Sequence, residues 1–114
     1  MPMLCLSVKI VRWVDDSQPG WVECELLDAS GLVHKFIDKV PIVTCDDLDS
    51  TNEFPQPGQI ACTVLAQWRD EQGRALSRVT TDKPHGVEST EGLSEFVVLS
   101  DQLSPCAWEN EGSV

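Results

Sequence analysis

The sequence contains no tyrosine, only two histidines and eight basic side chains, and it never sets two cysteines in a Cys-x-x-Cys pair. Each scarcity excludes something. With imidazoles only at His34 and His85 and five scattered cysteines, the clustered soft ligands of a zinc site are missing, and no metal is expected. Neither Gly-x-Gly-x-x-Gly nor Gly-x-x-x-x-Gly-Lys-Ser/Thr occurs, so no nucleotide cradle is predicted and no cofactor is implied. No apolar run approaches the ~20 residues of a membrane span, and Lys9 and Arg12 interrupt the only stretch that could serve as a signal-peptide core. An odd cysteine count (Cys5, Cys24, Cys45, Cys62, Cys106) at wide spacing argues against a disulfide framework. Reduced thiols and a cytoplasmic location are therefore expected.

Negative charge is abundant. Nineteen carboxylates against eight basic residues give a net charge of −11, which repels nucleic acid and anionic membrane surfaces and favours a basic protein partner. Acidity that serves solubility alone is the competing explanation. The 114 residues are enough for one domain but not two, predicted over 1–108, with a frayed tail at 109–114.

The pattern along the chain predicts strands. LCLSVKIVRWV alternates from Leu4 to Val14, placing Arg12 with the apolar face of Leu6, Val8 and Ile10, and Trp13 on the other face. The loop 15–20 follows, closed by Pro19-Gly20. Residues 21–43 form the central hairpin, because Asp28 and Gly31 suit a type I turn followed by a left-handed glycine. This turn pairs Asp28 with Leu32, Glu25 with Lys35 and Cys24 with Phe36. Val22, Cys24, Leu26, Phe36 and Val40 then face the core, with His34 near Leu26, while Glu23, Glu25, Lys35 and Lys39 face water. Pro41 marks an edge or an early strand end. Residues 44–58 read as a loop and 59–69 as a strand, with a helix over 60–72 as the alternative. A second Asp-x-x-Gly turn at 70–73 leads into a strand at 74–81. A short strand at 87–89, a tight turn at 90–92 and a strand at 93–99 complete a third hairpin, and one helical turn is expected before Pro105. The expected fold is all-β, a small antiparallel barrel of six to seven strands, OB-like or SH3-like in size.

Candidate chemistry is sparse. Cys24 and His34 on one hairpin could form a thiol–imidazole pair, although a cysteine in a strand core is more often inert packing. His85, Glu88, Ser89 and Glu91 form the richest polar patch, but residues this close in sequence seldom converge as a triad. Asp47, Asp49, Thr51 and Glu53 offer alternating oxygens to a hard cation without the glycine and terminal glutamate of an EF-hand loop. Trp13 and Trp21 bracket the acidic loop containing Asp15 and Asp16, which with Trp68 would give a partner aromatic anchors and a negative rim. Rings that merely cap the barrel end are the competing explanation. These residues predict a non-catalytic acidic interaction module, of inhibitor or immunity type, that binds a basic protein. The alternative is a small hydrolase or thiol enzyme using Cys24 and His34, or His85 with its neighbouring acids.

Overall fold

The computed structural model describes residues 3–17, 20–45, 48 and 52–106. Seven strands follow in order: β1 (Met3–Asp15), β2 (Trp21–Leu27), β3 (Val33–Lys39), β4 (Gln56–Arg69), β5 (Ala75–Thr80), β6 (Glu95–Leu99) and β7 (Leu103–Ser104). A helical turn, α1 (Val40–Val43), separates β3 from β4, and a 3-10 turn (Ser100–Gln102) precedes β7. The sheet order is β3-β2-β1-β4-β5-β6, with β7 added beside β1, and every pairing is antiparallel. The long first strand is thus shared by two meanders.

The sheet curls so that its two ends meet. Ala29 N–H donates to the Val97 carbonyl at 2.9 Å and Thr90 N–H to the Lys35 carbonyl at 2.8 Å. Inside this seam, Phe96 of β6 packs edge-on against His34 and Phe36 of β3, with ring centroids 4.9 and 5.5 Å apart. The result is a small all-β barrel. Its core contains Leu6, Ile10, Val22, Cys24, Leu26, Phe36, Ile60, Val79 and Val98, all fully buried.

The central hairpin has the expected register: Cys24 opposes Phe36, Glu25 opposes Lys35 and Leu26 opposes His34. The turn holds it there. Asp28 N–H donates to the Leu32 carbonyl, and Gly31 adopts a φ of 91°, where a side chain would be strained. Pro41 does more than end a strand. It sits in the first turn of α1, where its missing N–H costs nothing. β4 starts at Gln56 rather than 59, opposite Ile10, and its pairing with β1 excludes the helical alternative.

Several expectations fail for identifiable reasons. A β-bulge between Ile10 and Arg12 inserts Val11, so the face pattern of β1 reverses: Trp13 turns inward and Arg12 outward. Glu23, expected in water, is buried, and Arg12 donates to its Oε1 at 2.8 Å. Residues 87–89 are not a strand. Val87 N–H donates to Thr81 O and Ser89 N–H to Leu93 O, so the segment is a looped turn over the seam. Five reduced thiols are also not observed: Cys5 and Cys106 form a disulfide across 101 residues, leaving Cys24, Cys45 and Cys62 free. Among the described residues no helix is long and apolar enough to cross a membrane.

Candidate functional site

The register brings part of the predicted interface together. Asp15 of β1 lies opposite Trp21 of β2, which lies opposite Lys39 of β3, so one cross-strand row ends the sheet. The Lys39 ammonium sits 5.6 Å from the centroid of the half-buried Trp21 ring, a cation–π contact within the chain. Asp15 and Asp16 are exposed beside it. The Asp15 Oδ1 accepts from the Ser17 hydroxyl at 2.7 Å and from the Ser17 N–H at 2.9 Å. These two bonds hold its carboxyl below the usual range, so it stays ionised.

Trp13 belongs to the barrel end instead. Its ring packs on the core, meets Phe54 edge-on at 6.2 Å and lies so close to Gly20 that a Cβ there would fall 2.5 Å from the indole. Trp68 is exposed but remote. Gln56 opposes Ile10 near the Trp13 end, and Trp68 is twelve residues further along β4, roughly 40 Å of strand path. The structure therefore joins Asp15, Asp16 and Trp21, backs them with Trp13, and separates Trp68 from them.

Charge pairing sharpens the contrast. Three of the four arginines are already engaged, Arg12 with Glu23, Arg74 with Asp70 and Arg78 with Glu95, at 2.7–2.9 Å. Among the described residues no cation pairs with Asp15 or Asp16.

The thiol candidate lacks the environment it needs. Cys24 is fully buried, and burial, reinforced by the Asp38 and Glu23 carboxylates, pushes its thiol up to about 12. A nucleophile needs the opposite shift. His34 is occupied elsewhere: its Nε2 lies 2.7 Å from Asp28 Oδ2, with both side chains largely buried. Burial pushes the Asp28 carboxyl up, but bonds from His34, Ser30 and Leu32 outweigh it and hold the group down to about 2. Cys62 is likewise buried, its thiol raised to about 11.

The patch at 85–91 is a turn. The Ser89 Oγ accepts from the Leu93 N–H at 3.1 Å and the Glu91 N–H at 3.3 Å, and the residue is buried, so its hydroxyl caps the loop. His85, Glu88 and Glu91 are exposed around it. Of the proposed cation oxygens, those at 47, 49 and 51 lie outside the described residues, as do Trp108 and the tail 109–114. Among the described residues no group of three His, Cys, Asp or Glu side chains could hold a metal.

One feature escaped sequence reasoning. A pocket of about 320 Å³ opens on the outer face, lined by Ser7, Lys9, Glu25, Leu27, Val33 and Gln102. It forms because β2 pairs with β1 only from Lys9 onward, while β7 pairs with Cys5 and Leu6, leaving a fork between them. A two-residue strand has no sequence signal that could have announced it. Comparison with known protein families, with characterised proteins and with solved structures finds no match to the chain.

Proposed function

We propose that the protein is a non-catalytic acidic interaction module, one domain over residues 1–108 acting in the cytoplasm, that binds a basic protein partner as an inhibitor or immunity-type protein does. Nucleic acid and membranes are not its targets, given the charge of −11. The observation that carries this reading is the row of Asp15, Trp21 and Lys39. Asp15 and Asp16, which pair with no cation among the described residues, flank an indole whose face already accepts a cation from the chain itself. An arginine or lysine from a partner could use the same ring and rim. The buried, protonated thiols of Cys24 and Cys62 lend the enzymatic alternative no support.

The test is differential capture from extracts of the source cells, comparing the wild type with an Asp15→Asn, Asp16→Asn, Trp21→Ala variant of unchanged circular dichroism. A basic protein retained by the wild type, released by salt and lost in the variant is the expected result. If the same proteins are retained by both chains, this surface is not the binding site.

A further inference from the structure

We propose that the Cys5–Cys106 disulfide is a redox latch on a short strap, formed by the 3-10 turn, β7 and Cys106, and that its reduction frees the strap from the edge of β1. Apart from the disulfide, a short set of contacts holds the strap, among them the half-buried Leu103, which packs against the main core. Its strand pairs through two residues only, Ser104 opposite Cys5 and Leu103 opposite Leu6. Gln102 adds a clasp, its Nε2 donating to the Leu27 carbonyl at 2.8 Å and its Oε1 accepting from the Leu99 N–H at 2.9 Å. The hydroxyls of Ser77 and Ser100 meet at 2.7 Å.

The disulfide lies apart from the main core. Cys5 and Cys106 pack with Ala61 and Met3 in a small cluster separate from the main core. The bond also restrains the unfolded chain across 101 residues, so the barrel must hold without it if the latch is to work. Both sulfurs belong to fully buried residues, so a reductant reaches them only when β7 lifts locally.

The chemistry balances with a dithiol reductant. Its thiolate attacks one sulfur, the other leaves as a thiolate and takes a proton, and the reductant's second thiol closes to its own disulfide and releases the remaining cysteine. Two electrons pass to the protein, which ends with thiols at Cys5 and Cys106. Release of the strap removes Gln102 from the wall of the outer pocket and vacates the edge of β1 at Cys5 and Leu6, next to Ser7. The pocket becomes a groove along an open strand edge.

Amide hydrogen exchange on the full chain, with and without dithiothreitol, tests the latch. Reduction should speed exchange about tenfold or more in residues 99–106 and in the first half of β1, while residues 21–39 keep their protection. A Cys5→Ser, Cys106→Ser double variant should show the same pattern without reductant. Unchanged exchange at 99–106 overturns the proposal, because the strap then holds without the bond. Loss of protection throughout the barrel, or failure of the double variant to fold, overturns it too, because the bond is then a staple for the whole fold.

Discussion

The Nε2 of His34 lies 2.7 Å from the Oδ2 of Asp28, joining the tip of the central hairpin to the barrel seam. An ionised carboxylate can only accept, so Nε2 carries the proton, and Nδ1 is left buried without a partner against Phe96. The other oxygen, Oδ1, accepts from the Ser30 hydroxyl and from the Ser30 and Leu32 N–H groups. One carboxylate thus fixes both the turn and the imidazole.

Asp28→Ala should cost about 1–3 kcal/mol, because it strands a buried imidazole N–H and removes the acceptor of three turn donors. Its pH dependence follows from the depressed carboxyl. A group with an unfolded value near 3.9 and a folded value of about 2 contributes fully above pH ~4 and loses that contribution as pH falls toward 2. Urea unfolding of wild type and Asp28→Asn at pH 7 and pH 2.5 should therefore show the gap between them narrowing in acid. A constant gap would mean that the carboxylate's charge is irrelevant.

Thiol labelling separates packing from chemistry. Cys45 is exposed, while Cys24 and Cys62 are buried with raised thiols. Native protein without reductant should react with a maleimide at Cys45 alone, and at Cys24 and Cys62 only as fast as the barrel opens. Rapid alkylation of Cys24 at neutral pH would revive the thiol-enzyme alternative.

Gly58 is required by close packing. A Cβ there would lie 2.8 Å from Ile10 Cγ1 and 3.1 Å from the Val43 carbonyl, so α1 can sit against β4, and β4 beside Ile10, only if this position has no side chain. Gly58→Ala should destabilise by about 1–3 kcal/mol in thermal or denaturant melts, whereas Gly73→Asn, at a φ of 78° in an open turn, should be nearly silent. Equal melting points for Gly58→Ala and wild type would remove this account of the α1 contact.

What the sequence revealed and what it hid have separate physical sources. The register of β2 and β3 was legible because Asp28 and Gly31 define a turn, and a turn determines every pair behind it. The bulge at Val11 left only a faint mark, the adjacent apolar pair Ile10-Val11 that shifts the alternation and puts Arg12 on the apolar face, and the extra residue itself is set by how β2 meets β1. That misplaced Trp13 and Arg12 and hid the burial of Glu23. The disulfide joins residues 101 positions apart through a fold that had yet to be built, so spacing could not select Cys5 and Cys106 from five cysteines. At the candidate site, Asp15, Asp16 and Trp21 were legible as neighbours of one loop, whereas Lys39 arrives through strand pairing and Trp68 departs for the same reason.

Lys39 gives the proposed interface its most direct check. Its ammonium occupies the ring that a partner's cation would use, so removing it should free the site at the cost of one intramolecular contact. An exposed cation–π contact contributes about 0.5–1 kcal/mol, so Lys39→Ala should bind a hexa-arginine peptide about two- to fivefold more tightly than wild type. Titration by tryptophan fluorescence reads this, and a Trp21→Ala, Lys39→Ala variant separates the response of Trp21 from those of the other three indoles. In that double variant the gain should disappear, and added salt should weaken binding to every form through the carboxylates. Identical affinities for wild type, Lys39→Ala and the double variant would show that the peptide binds the overall negative field and that the row of Asp15, Trp21 and Lys39 has no recognition role.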